Sequence, residues 1–169
     1  MELVTLRFLH LVFGFLWAAG AVIMGFWVTP AAVEAGPGGG AVLQGVNVQR
    51  KLPIWMLGAS TITILCGLRL YMMRYDPSWV MTPESIVLLL GSLFALGGFF
   101  IGLFVQRPLG GKIGALGQQI AAADGPPTDE QKQQMAELQG RLLRVSRVLG
   151  AHLAAAVVLM SFARVAALM

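Results

Sequence analysis

Four stretches of this chain are apolar over the length that a helix needs to cross a lipid bilayer, and they limit the fold more than any other feature. Crossing the hydrocarbon core takes about 20 predominantly apolar residues. The stretches run from about 6 to 28, 52 to 73, 85 to 106 and 145 to 168. We therefore predict an all-α protein, a four-helix transmembrane bundle with up-down topology that forms one domain over residues 1–169.

The composition agrees with a chain that folds in lipid. Of its residues, 57% are hydrophobic and only 12% are charged, whereas a soluble domain of this size needs a largely charged exterior. Ala19-Gly20-Ala21 fits the cleavage pattern of a signal peptide, but the apolar stretch continues to Val28 and no basic cluster precedes it. We therefore expect the first segment to be retained as a membrane span.

The basic residues predict the orientation of the chain. Eight of the 12 lie in the two long loops, which fall on one side of the membrane: Arg50, Lys51, Arg107, Lys112, Lys132, Arg141, Arg144 and Arg147. By the positive-inside rule these loops are cytoplasmic and both termini are outside. Because the basic residues lie where loops meet the membrane, we interpret them as neighbours of anionic lipid and expect no nucleic-acid partner.

The two long loops have different patterns. In the first, Glu34-Ala-Gly-Pro-Gly-Gly-Gly40 predicts a flexible turn without a regular helix. In the second, Asp124-Gly-Pro-Pro127 is a break, and Thr128 with Gln131 three residues later predicts a capping box at a helix start. Apolar residues recur at spacings of three and four on both sides of the break: Leu109, Ile113, Leu116, Ile120, Met135, Leu138, Leu142, Val145 and Leu149.

This periodicity predicts that the third and fourth helices extend beyond the membrane as a cytoplasmic helical hairpin over residues 107–147. The hairpin either only ties two spans together or also provides a docking surface for a partner. Within the third span, Gly98 and Gly102 form a G-x-x-x-G pair, which favours close helix packing in membranes. We interpret that pair as a contact within the chain.

Ionisable side chains inside spans mark functional sites, and this chain has few of them. No Asp or Glu lies within a predicted span, which argues against ion-coupled transport, a carboxylate metal site and paired-carboxylate hydrolysis. The single cysteine, Cys66, provides neither a disulfide nor a Cys-based metal motif. We assign no catalytic residues, and the pattern favours a protein that is not an enzyme.

His10 lies about one turn inside the first span, and His152 lies near the opposite face in the fourth span. Their depths differ by roughly 15–20 Å, so they cannot ligate one metal ion together. Five residues are predicted to lie level with His10, and all of them except Met73 are candidate site residues: Arg69, Met72, Met73, Met160 and Arg164. An imidazole, a thioether and two guanidinium groups suit a b-type haem, with His10 bound to the iron.

A second interpretation of the same residues needs no cofactor. The arginines then extend to the membrane interface, the methionines fill space, and His10 forms a hydrogen bond between helices. His152 is interpreted as an interfacial or packing histidine.

Two sets of short segments have a familiar pattern: Leu6-Arg-Phe-Leu-His10 with residues 15–20, and Arg50-Lys-Leu-Pro53 with residues 61–71. They resemble a superfamily of small four-helix membrane proteins that includes the copper-resistance D type proteins and the haem-binding bacterial protoporphyrinogen oxidases. Val105-Gln-Arg-Pro108, residues 114–117 and residues 141–147 also resemble an uncharacterised family of bacterial integral membrane proteins.

The resemblance implies a haem held by the first-helix histidine, which is His10 here. The third helix lacks the histidine and the basic residue of the oxidases, and the fourth lacks their acidic residue, so oxidase activity is not implied. A dense Met and His path for copper transport is also missing from the sequence.

Two functions remain open. The favoured one is a small accessory or assembly subunit of a larger redox membrane complex, in contact with other subunits through its spans and its hairpin. The alternative is a b-haem-binding membrane protein in electron transfer or haem chemistry, with His10 as the axial ligand. A transporter or channel is the weakest class, because the spans carry so few polar side chains.

Overall fold

The computed structural model describes residues 1–123 and 125–166, and in that part of the chain it contains helices and no strands. The side chains of Pro37 and Arg164 are outside the description. The helices are α1 (Glu2–Ile23), α2 (Thr29–Glu34), α3 (Pro37–Gln44), α4 (Leu52–Arg74), α5 (Pro83–Ile101), α6 (Arg107–Ala122) and α7 (Asp129–Ala166).

The all-α fold with four long apolar helices is confirmed. The helical stretches Glu2–Glu34, Leu52–Arg74, Pro83–Ala122 and Asp129–Ala163 are each long and apolar enough to cross a membrane. Two of them are continuous because a π-helical turn joins their parts, at Met24–Val28 between α1 and α2 and at Gly102–Gln106 between α5 and α6. A third π-helical turn, Gly45–Gln49, ends α3.

The membrane-length helices pack in the order α4, α1, α7, α5. α1 lies between α4 and α7, and α5 packs along α7. α4 and α5 are described throughout and share no extensive contact along their length, so the bundle is open on one side. The central core consists of Trp17, Ala18, Ala21, Ala59, Leu149 and Leu153.

The first long loop contains a helix where we predicted only a flexible turn, and that prediction was wrong. The chain turns after α2 at Gly36, whose φ of 62° favours glycine, and α3 then begins at Pro37. Proline is tolerated in a first helical turn because its missing N–H needs no partner there. A Cβ on Gly39 would lie 1.9 Å from the carbonyl oxygen of Ala32, so this glycine lets α2 and α3 meet at their backbones.

In the second long loop the sequence patterns match the contacts. Leu109, Leu116 and Leu138 are buried between α6 and the first half of α7, together with partly buried neighbours from the predicted periodic set. The capping box is confirmed: the Thr128 N–H donates to Gln131 Oε1 at 3.0 Å, and the Gln131 N–H donates to Thr128 Oγ1 at 3.2 Å. Asp124, predicted as part of the break, lies outside the described residues.

The short connection from α4 to α5 is held by charged and aromatic side chains. Arg74 Nη2 lies 2.6 Å from Glu84 Oε2, and the Trp79 indole N–H donates to the same oxygen at 3.2 Å. Thr82 caps α5, because its hydroxyl oxygen accepts from the Ser85 N–H at 3.2 Å. These contacts fix the ends of α4 and α5 near each other although the two helices do not pack.

Candidate functional site

His10 lies at the contact between α1 and α4. Its Nδ1 is 2.8 Å from the carbonyl oxygen of Thr63. A carbonyl oxygen can only accept, so Nδ1 carries the proton of this hydrogen bond, and Nε2 keeps its lone pair in the neutral ring. A Cβ on Gly67 would lie 2.8 Å from His10 Cε1, which means that the ring packs directly on the α4 backbone.

Thr63 and Gly67 were not singled out as partners of His10 in the sequence. They are four residues apart on α4, so they lie on the same face of that helix, one turn from each other. Gly67 has no side chain and therefore leaves room for the His10 ring on this face. Ser60 and Thr63 are buried, and the Thr63 hydroxyl donates to the carbonyl oxygen of Ala59 at 2.7 Å.

Arg69, one of the predicted haem-site residues, forms an ion pair with Glu2 of this chain. Its Nη2 lies 2.8 Å from Glu2 Oε1, and its Nε donates to the same oxygen at 2.8 Å. Both side chains are about half exposed, so the pair contributes little to stability. It joins the start of α1 to the second half of α4, beside the contact that holds His10.

The two methionines of the predicted haem site, Met72 and Met160, do not lie at the contact between α1 and α4 that holds His10. Met72 is on an exposed part of α4, with 59% of its surface accessible. Met160 lies at the contact between α7 and α5, where its Cγ would be 2.9 Å from a Cβ on Gly91. The side chain of Arg164 lies outside the described residues. Of the predicted set, His10 and Met160 therefore lie at different helix contacts.

His152 has the contacts of a packing histidine, as predicted. Its Nδ1 lies 2.8 Å from the carbonyl oxygen of Val148 one turn earlier in α7. Its ring centroid is 5.6 Å from that of Phe94 on α5, and a Cβ on Gly97 would lie 3.3 Å from its Cδ2.

Ser146 on α7 is a meeting point that the sequence did not reveal. It is 1% exposed, and both π-helical turns of the long helices reach it. A Cβ on Gly25, in the first of these turns, would lie 2.4 Å from the Ser146 carbonyl oxygen. Gln106, in the second, donates through Nε2 to Ser146 Oγ at 3.4 Å. The wider turns thus coincide with the places where two neighbouring helices approach α7.

Among residues 1–123 and 125–166, no group of three or more His, Cys, Asp or Glu side chains is placed to hold a metal ion. Cys66 is a buried free thiol on α4.

No protein-family model, curated protein or solved structure matches this chain. The family resemblance given above stays a prediction, and a function has to rest on the contacts of the chain itself.

Proposed function

We propose that this protein is a small integral membrane accessory or assembly subunit of a larger redox membrane complex. In this proposal the chain lies in a bacterial inner membrane with up-down topology and both termini outside. The hairpin formed by α6 and the first half of α7 then lies in the cytoplasm. The redox character of the complex rests on the family resemblance alone.

The open side of the bundle supports a subunit role. α4 and α5 each pack along a single neighbour among the long helices, and only 11% of an apolar 18-residue segment within Pro83–Ala122 is buried. Lipid can cover such surfaces. A helix of another subunit that enters between α4 and α5 would however contact two helices at once, and close contact on several sides stabilises helices in membranes.

Photo-crosslinking in membranes of the native host tests this role. A photoreactive side chain replaces Leu93 on α5 or Leu65 on α4, which are 56% and 60% exposed. The control position is Phe15 on α1, which is 70% exposed. We expect the positions on α4 and α5 to cross-link to the same second polypeptide, whereas the control position on α1 cross-links mainly to lipid. Equal cross-linking from all three positions, or none from any, would contradict the proposal.

The alternative, a b-haem-binding protein, is favoured by one observation. The His10 Nδ1–H is held by a backbone carbonyl, which is how proteins commonly orient a ligating imidazole and leave Nε2 for the metal. The surroundings of His10 fit a haem with His10 as its one axial ligand. Met160 lies at a different helix contact, and Arg69 is already paired with Glu2.

The visible absorption spectrum tests the alternative directly. The protein is purified in mild detergent after expression with ample haem, then measured oxidised and dithionite-reduced. His10→Ala removes the ligand, and His152→Ala is the matched control. A Soret band lost only in His10→Ala would establish haem ligation through His10. A colourless wild-type protein would eliminate the haem function.

A further inference from the structure

α6 and the first half of α7 enclose a groove with two cationic side chains, Lys112 and Arg141, which we name the basic groove. Its inner part, on the side of the π-helical turn Gly102–Gln106, is an open cleft of about 190 Å³. The wall there is apolar and includes Phe104, Val105 and Val145. Lys112 and Arg141 line both this inner part and the outer part that continues along the two helices.

The two cations have no carboxylate partner in the part of the chain that the structure describes. The ion pairs found there join Arg69 to Glu2, Arg74 to Glu84 and Lys132 to Asp129. Glu137 lines the outer part of the groove, whereas no carboxylate lines the inner part. The inner part therefore combines an apolar wall with uncompensated positive charge.

The position of the groove along the chain indicates what it can hold. Phe104 and Val105 belong to the last turn of the predicted third span, and both side chains are exposed. Lys112 follows about two turns later, and Arg107, Arg144 and Arg147 add positive charge in the same region. An apolar wall at the membrane boundary with cations just beyond it matches a phospholipid, whose acyl chains and phosphate lie in the same order.

We propose that the basic groove binds an anionic phospholipid, with Lys112 and Arg141 on its phosphate and the start of an acyl chain against Phe104 and Val145. Arginine and lysine donate charge-assisted hydrogen bonds to phosphate oxygens, and basic pockets beside membrane helices bind anionic headgroups. The site does not depend on the subunit role proposed above, since it is formed by this chain alone.

Native mass spectrometry of the purified full chain, titrated with phosphatidylglycerol or phosphatidylcholine in detergent, tests the site. We expect the wild type to bind phosphatidylglycerol in preference to phosphatidylcholine. Lys112→Gln with Arg141→Gln removes two charges and should lower the affinity for phosphatidylglycerol about thirtyfold. Both residues are exposed, so this double variant should fold, and circular dichroism checks that it does.

The matched control is Arg7→Gln with Arg50→Gln, which removes the same charge from two exposed positions outside the groove and should leave the affinity unchanged. Lys112→Arg with Arg141→Lys keeps both charges and should retain most of the binding. An equal loss in the control pair, or no loss in the groove pair, would overturn the proposal. Displacement of the lipid by inorganic phosphate at similar concentration would assign the groove to free phosphate instead.

Discussion

The two halves of α7 pack by different means, although they belong to one helix. From Ser146 onward, within the predicted fourth span, α7 meets α5 and the π-helical turn after α1 through glycines: a Cβ on Gly98 would lie 2.8 Å from Leu153 Cδ2, and one on Gly25 would lie 2.4 Å from the Ser146 carbonyl oxygen. In its first half α7 meets α6 through leucines, and a Cβ added to any of the four glycines of α6 would meet no other helix within 4 Å.

The difference follows from the solvent that each half is predicted to meet. Lipid tails are as apolar as leucine, so helices in a bilayer gain by close backbone approach rather than by hiding apolar surface. In water, burying leucine is favourable in itself, at roughly 25 cal/mol per Å² of apolar surface. Glycine therefore serves contact within the spans, whereas in α6 it only lowers helix propensity.

The largest expected effect concerns the hairpin. Leu116→Ala removes a side chain that is 5% exposed in the leucine cluster and should destabilise the contact between α6 and α7 by about 2–5 kcal/mol. Amide hydrogen exchange should then accelerate throughout α6. Leu68→Ala, at an exposed position of α4, is the control and should change exchange little. Unchanged exchange in Leu116→Ala would refute the claim that leucine burial holds the hairpin.

A smaller loss is expected from a single methyl group in the spans. Gly25→Ala places its Cβ against backbone atoms of α7 that cannot rotate away, so it should cost about 1–3 kcal/mol in thermal unfolding in detergent. Gly114→Ala is the matched control in α6, where nothing lies within 4 Å, and it should stabilise by about 0.5–1 kcal/mol. Similar shifts for both variants would remove the distinction between the two halves.

Loss of the cap at the start of α7 should destabilise this helix by about 1 kcal/mol. Thr128→Ala removes the hydroxyl that accepts from the Gln131 N–H, and loss of such a cap typically costs that amount. Hydrogen exchange of the first turn of α7 should rise, while the second half of the helix stays protected. Thr128→Ser keeps the hydroxyl and should behave as the wild type. An equally strong effect of the serine variant would show that the cap is not responsible.

The smallest effect lies in the connection between α4 and α5. Hydrogen bonds from the hydroxyl and the backbone N–H of Ser78 hold the pKa of Asp76 below its usual value of 3.8. A lowered folded-state pKa contributes stability above the usual value, and this is lost as the pH falls through the folded pKa. Ser78→Ala should raise the pKa of Asp76 in an NMR titration. No change would show that the hydroxyl does not stabilise the carboxylate.

The sequence predicted well where a local pattern has a local cause. The capping box at Thr128 needs only residues three positions apart, and the apolar period of α6 and α7 defines one face of each helix. The same reasoning failed at Pro37, because a glycine-rich segment was interpreted by its weak helix propensity alone. Gly39 lies within α3, and its missing side chain lets α3 pack against the backbone of α2. This packing contact between separate helices is not visible in the helix propensity of the segment.

The glycine pair of the third span shows the same division. Gly98 makes the predicted contact within the chain, but a Cβ added to Gly102 would meet nothing within 4 Å, and it is Gly91 that packs against Met160. The spacing of glycines along one helix indicates which face can pack closely, but it does not indicate which residue of another helix packs there. The candidate site was likewise only partly predictable: His10 was found as a histidine in an apolar stretch, whereas its contacts with Thr63 and Gly67 depend on how α1 and α4 pack.

By itself the sequence determined that the chain forms four long apolar helices, since length and hydropathy are properties of each segment alone. It also determined the start of α7 and the apolar faces of the hairpin. Only the tertiary structure decided the order α4, α1, α7, α5, the open side between α4 and α5, and the meeting of both π-helical turns at Ser146. Those features depend on how well the surfaces of distant segments fit each other. The periodicity of apolar residues shows which face of a helix is apolar, but it does not show which other helix that face fits.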